Sequence, residues 1–199
     1  MKRSTVVILL CLVLFLVVGL TPVHGEEEIY SSVVRLHILA NSDSEEDQAL
    51  KLKVRDAVLE VTAPLLKDCR DRSTAEALLR THLDDLTAAA QQTVLAEGHD
   101  DPVSVSFAEE EYPEREYDSF CFPAGTYLSL RVLIGEAEGH NWWCCLFPPI
   151  CRAAASVSPS EAEDAFISVG LTPDQYKIIT ESDSGVYKVR FKLLELFRR

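Results

Sequence analysis

Between Ser42 and Gly98 the apolar residues recur with helical spacing, and beyond Asp100-Asp101-Pro102 the period changes to two. A chain that runs its helices together and then its strands, instead of alternating them, cannot build a doubly wound parallel sheet. The order predicts an α+β fold, a mainly antiparallel sheet with two or three helices packed on one face. Ser42 with Glu45 and Ser44 with Asp47 have capping-box spacing, and the helix they open carries a stripe of Leu50, Val54, Ala57, Val58 and Val61 before Pro64 marks its end. Ser73-Thr74-Ala75-Glu76 opens a second helix, with Leu79, Leu83, Leu86, Ala90 and Val94 as its stripe and Gly98 as its stop.

The strands are read from alternation. Residues 33–40 form the first, with Val34, Leu36 and Ile38 on one face and Arg35, His37 and Leu39 on the other. Val103, Val105 and Phe107 alternate with Ser104, Ser106 and Ala108, and a strand over 117–122 is expected to fold back on them as a hairpin through the polar run containing Pro113. Further strands are expected over 127–134 and 140–147, the latter closed by Pro148-Pro149. Past Cys151 the pattern weakens to a short helix over 158–169 and a last strand through Tyr187, Val189, Phe191 and Leu193.

The N-terminus is of another kind. Lys2-Arg3 precedes an uncharged apolar run over 6–20, then Pro22 and Gly25, the layout of a secretory signal. A membrane span needs roughly 20 apolar residues, so cleavage after Gly25 is expected, with an uncleaved anchor left open. Residues 26–199 are then expected to form one secreted domain, its core motifs within 33–151 and a less defined region over 152–199. The net charge of −13 argues against nucleic acid as a partner, because phosphate neutralisation needs a basic face. It argues equally against adhesion to anionic lipid, leaving contact with a membrane to the signal segment. Apart from Cys11 in the apolar run there are five cysteines, an odd number, so at least one is free or pairs between chains.

Two segments concentrate chemistry. The first, Arg35-x-His37-x3-Asn41-Ser42-Asp43, lies at a strand-to-helix junction where an imidazole, an amide and carboxylates converge. It reads as an acid-base or metal site, or more simply as a capped helix beside a half-buried histidine, and the capping tasks of the acids favour the second. The second segment, His140-Asn141-Trp142-Trp143-Cys144-Cys145 with Cys151, holds both tryptophans of the chain. Cys144 as a nucleophile with His140 or His37 as base is one reading. Zinc binding by Cys144, Cys145, Cys151 and a histidine is another, and a Cys144–Cys151 disulfide closing the Pro-Pro loop is the simplest. Neither spacing is specific to catalysis, and no phosphate loop, G-x-S-x-G or H-E-x-x-H occurs. No catalytic residue, metal or cofactor is therefore expected.

Taken together, the run from Arg35-Leu36-His37-Ile38-Leu39-Ala40-Asn41-Ser42-Asp43 through Val58, Tyr112-Pro113, Pro123-Ala124-Gly125 with Tyr127, and Gly139-His140-Asn141-Trp142-Trp143-Cys144 to Pro148-Pro149 and Cys151 resembles the stage II sporulation protein R family of endospore-forming bacteria. Cys145 departs from that pattern where an aliphatic residue is expected, and Cys69 and Cys121 are peculiar to this chain. The resemblance implies a signal and not an enzyme. Such a protein is secreted from the forespore into the space between forespore and mother-cell membranes, where it activates a membrane-embedded aspartic protease that processes the pro-sigma-E factor. Docking on such a partner assigns Arg35, Arg55, Trp142 and Trp143 as anchors, and His37, Asn41, Asp43, Asp47, His140 and Asn141 as orienting polar groups. Adjacent positions on a strand face opposite ways, so one tryptophan is expected to be buried and the other exposed. The alternative is an exported hydrolase or metal-dependent enzyme using His37, Asp43, His140 and Cys144.

Overall fold

A computed structural model of the chain describes residues 26–117, 120–150, 159–168 and 171; the signal over 1–25 and the last expected strand lie outside the described residues. The elements are α1 (Glu26–Ser32), β1 (Val34–Leu39), α2 (Glu45–Leu66), α3 (Arg72–Thr81), α4 (Leu83–Ala96), β2 (Val103–Tyr112), β3 (Arg115–Tyr117), β4 (Phe120–Phe122), β5 (Gly125–Ile134), β6 (Asn141–Phe147) and α5 (Pro159–Ser168). The main sheet has the order β2-β5-β1-β6, and β3 and β4 form a separate ribbon. β2 with β5 and β1 with β6 are antiparallel, while β1 runs parallel to β5. The fold is thus α+β with a largely antiparallel sheet, as the order of periodicities predicts.

One face of the sheet is apolar because every strand places its branched residues there. Leu36 lies opposite Leu130 and Cys144, and Ile38 opposite Val132 and Trp142. Phe107 and Val105 continue these rows from β2. Against them sit Leu50, Val54 and Val58 of α2, Ala75 and Leu79 of α3, and Leu86, Ala90 and Val94 of α4, all buried in one core. Full burial of each large aliphatic side chain contributes about 1.5–3 kcal/mol. Arg80 of α3 stacks on Phe107, and Arg55 of α2 on Trp142, sealing the layer at its two edges.

Four boundaries differ from the sequence expectation, each for a local reason. Pro64 lies inside α2 and does not end it: so near the C-terminus it removes one backbone bond, and the buried Thr62 and Leu66 hold the last turn. The expected second helix is two, α3 and α4, meeting at His82, which leaves helical geometry with φ −110°. The bend lets Leu79 and Leu86 both reach the core. The N-cap of α3 is Asp71, not Ser73, its carboxylate accepting from the Thr74 N–H at 2.8 Å. Finally, β2 does not pair with 117–122. It runs to Tyr112 and pairs with β5 from Val103 opposite Ile134 to Tyr112 opposite Gly125, which keeps every apolar row in register; the intervening segment supplies β3 and β4. The short helix expected over 158–169 is α5.

Candidate functional site

β1 is buried on both faces, against the expectation of one polar side. On the face away from α2–α4, Arg35 lies opposite Ser129 and Cys145, and His37 opposite Arg131 and Trp143. Arg35 is fully buried. Its guanidinium carbon stands 4.4 Å from the Tyr112 ring centroid, 4.5 Å from Phe122 and 5.1 Å from Tyr127, and its Nε donates to the Cys144 carbonyl at 3.1 Å. A buried cation needs such compensation, and three ring faces with a carbonyl provide it. Phe122 of the ribbon packs in turn on Phe166 of α5, and Tyr30 of α1 packs on Tyr127, so these elements roof the Arg35 end of the face.

The His37 end is less covered. His37 Nδ1 lies 3.1 Å from both carboxylate oxygens of Glu110, and Nε2 lies 2.7 Å from Asn141 Oδ1. A ring pinned at both nitrogens is fixed in orientation. Its centroid is 5.5 Å from that of Trp143 and 6.2 Å from that of Tyr112, whose hydroxyl is 2.6 Å from Ser129 Oγ. Burial pushes the Glu110 carboxyl up, but hydrogen bonds from His37 and Ser129 and the charges of His37 and Arg131 outweigh it and hold the group below its ordinary range. The exposed Arg115 stacks its guanidinium 4.2 Å from the Trp143 ring, and Asn141 is exposed at the start of β6.

The second cluster joins the two sequence motifs at one end of the sheet. Asn41 Oδ1 accepts from the Glu136 N–H at 2.9 Å, and its Nδ2 donates to Asp47 Oδ2 at 3.1 Å. Ser42 Oγ donates to the same oxygen at 2.5 Å, and the Asp47 N–H caps on Ser44 Oγ at 3.1 Å. Hydrogen bonds from Ser42, then from Asn41 and Ser44, lower the Asp47 pKa against the opposing effect of burial. Asp43 Oδ1 accepts from the His140 N–H at 2.6 Å and also contacts His140 Nδ1. Lys51, its pKa lowered by burial, donates to the His140 carbonyl at 2.9 Å. Gly139 is required here, since a Cβ would stand 2.2 Å from the Ser42 carbonyl oxygen.

Several expected roles change. Arg35 is fully buried and supports the face from beneath, and the buried Asp47 anchors the β1–α2 loop; neither presents itself to a partner. Trp142 and Trp143 do take opposite faces, but both are half-buried, because Arg55 covers one at 5.2 Å and Arg115 the other. Arg55 and Trp142 therefore belong to the helix side, apart from Trp143, His37 and Asn141. Cys144 is in a disulfide, and Cys151, its expected partner, lies outside the described residues. Cys69, Cys121 and Cys145 carry thiols, that of Cys145 pushed up to about 12 by burial. His37, Asp43, His140 and Cys144 do not form one centre: Cys144 shares the Leu36 side of the sheet, His37 takes the other, and a disulfide sulfur is no nucleophilic thiolate. Glu110, Arg115 and Arg131 are not singled out by the sequence, and Tyr112 enters it only through the family resemblance. For Glu110 and Tyr112 the signal was present, since they continue the period of Ser104, Ser106 and Ala108 through a stretch read as a connection.

Both clusters fall within the segment, residues 30–157, matched by the family described as Stage II sporulation protein R (spore_II_R). The chain belongs to the stage II sporulation protein R family. Stage II sporulation protein R of Bacillus subtilis (strain 168) is 35% identical to it over 159 residues, covering 75% of this chain and 71% of that relative. No solved structure matches. Membership in the stage II sporulation protein R family gives the chain a role in sporulation, and the matched span holds the whole of the main sheet.

Proposed function

We propose that this protein is a secreted signal that activates a membrane-embedded aspartic protease across the space between forespore and mother-cell membranes, leading to processing of pro-sigma-E. The observation that carries the reading is the patch of Asn141, Trp143 and Arg115, backed by the buried His37, which is fixed at both ring nitrogens, with the Arg115 guanidinium over the Trp143 ring. Such a patch binds without first having to be ordered, and binding is all that an activating ligand contributes. To turn a partner from 1:99 to 99:1 it must prefer the active arrangement by about 5.5 kcal/mol. A few rigid aromatic and arginine anchors, worth about 2 kcal/mol or more each, supply that. Asp43 and His140, exposed beside Asn141, extend the patch along the rim of the sheet.

Reconstitution tests the reading. The protein is added to membranes bearing the protease and pro-sigma-E, and cleaved sigma factor is measured. Trp143→Ala and Asn141→Ala are each expected to lower activation at least tenfold while circular dichroism at the assay temperature shows both variants still folded. Folded variants that activate like the parent would remove the patch from the function.

A further inference from the structure

On the far side of the β1–α2 loop, three ligand-bearing side chains converge from segments distant in sequence. Asp47 comes from the first turn of α2, and His99 and Asp101 from the link between α4 and β2; one donor atom of each lies within 4.8 Å of the other two. We infer that Asp47, His99 and Asp101 bind one divalent transition-metal ion, zinc by donor type, which fastens the α4–β2 link to the β1–α2 loop. This site is independent of the proposed docking patch.

The imidazole has the surroundings of a ligand. Its Nδ1 is 3.6 Å from Asp101 Oδ2, and its Nε2 is 3.4 Å from Glu46 Oε1. A metal-bound histidine commonly donates its other ring N–H to a carboxylate, which fixes the ring and strengthens the donor. Here Nδ1 lies toward Asp101, and the exposed Glu46 carboxylate stands within ion-pair reach of Nε2. Asp47 is held in the same manner: Asn41 and Ser42 both donate to Oδ2, fixing its carboxylate. The link is pinned by Gln91, whose amide donates to the Asp101 carbonyl at 3.0 Å and accepts from the Val103 N–H at 2.8 Å.

Charge supports occupancy. Among the described residues no lysine or arginine pairs with Glu46, Asp47 or Asp101, and His99 alone faces these carboxylates. The N-terminus of α2 opposes a cation with roughly half an elementary charge, which three carboxylates outweigh. Zinc takes nitrogen and carboxylate oxygen at about 2.0–2.2 Å, and its tetrahedron spaces neighbouring donors about 3.4 Å apart, so a small closure of the three groups suffices. Calcium, which requires six to eight oxygens, does not suit a set containing imidazole. Water completes the coordination in this half-exposed site.

The test uses the full chain in detergent, stripped with chelator and dialysed against micromolar zinc. One ion per chain is expected, with a rise in Tm on adding zinc. His99→Ala and Asp101→Asn are each expected to weaken binding at least tenfold and to abolish that rise, whereas His82→Ala, at the half-exposed α3–α4 junction, leaves both unchanged. Folding of each variant is checked by the metal-free melt, and cobalt substitution reports nitrogen and oxygen ligation in the parent. Absence of stoichiometric zinc in the parent, or parent-like binding by either ligand variant, overturns the site. Loss of binding in His82→Ala would place the ion elsewhere and overturn it equally.

Discussion

Replacing Arg35 separates two accounts of a buried charge. In Arg35→Ala three ring contacts are lost, each worth about 0.5–2 kcal/mol, together with a charge-assisted hydrogen bond of about 1.5–3 kcal/mol to the Cys144 carbonyl. A cavity opens beneath Tyr112, Phe122 and Tyr127 as well. Against this, the native state is relieved of holding a guanidinium away from water, several kcal/mol in the other direction. The balance for alanine is a loss of about 3–5 kcal/mol, because the void remains. For Arg35→Met, which refills the space without importing a charge, the balance is a change within about 1.5 kcal/mol. Urea unfolding followed by tryptophan fluorescence measures both, since Trp143 adjoins the same aromatic cluster. If methionine costs as much as alanine, the charge itself holds the face together and the volume argument fails. If alanine costs less than about 1 kcal/mol, the packing around Arg35 is not what organises the face. Being buried, Arg35 also predicts that the folded methionine variant still activates in reconstitution.

Three further outcomes follow from the geometry. Gly139→Ala drives a Cβ against the Ser42 carbonyl oxygen and is expected to cost about 1–3 kcal/mol, read as a fall in Tm, whereas Gly98→Ala meets no atom within 4 Å and suffers from its φ of +84° alone. Asp47 and Glu110 titrate below their ordinary values when folded, so the stability they contribute is present above the unfolded carboxylate range near pH 4 and is lost as pH falls through the folded values. Denaturation midpoints from pH 7 to pH 3 should show that loss, and Ser42→Ala should make it shallower. The Cys145 thiol, buried and pushed up to about 12, is expected to resist maleimide at pH 8 until the protein is unfolded; labelling of the native chain at Cys145, located by mass spectrometry, would refute this.

What the sequence conveyed follows from what period and caps encode. The stripe of Leu50, Val54 and Val58 and the alternation of Leu128, Leu130, Val132 and Ile134 report one buried face each, and the structure buries them. Partner choice between strands is not encoded in period. Nothing local to Val103–Tyr112 says that it pairs with β5 past an inserted ribbon, and hydrophobic register across the sheet decides it. The second face of β1 was misread for a related reason. Arg35 and His37 look solvent-facing by residue type, whereas rings from β2, β4, β5 and β6, the Glu110 carboxylate, the Cys144 carbonyl and the Asn141 amide oxygen compensate their burial. The loop motifs were legible as a helix cap, but not the hold of Asp43 on His140, which joins residues far apart in the chain.

The parallel pairing of β1 with β5 governs when the molecule can finish folding. β1 precedes α2, α3 and α4, yet its neighbours on either side, β5 and β6, come only after those three helices have been laid down. Closing such long loops is entropically slow, and topologies dominated by distant contacts assemble late. A ribosome product that stops short of Asn141 leaves its middle strand with an open flank and lacks Asn141 and Trp143 altogether. The patch is therefore displayed only by chains that extend through β6.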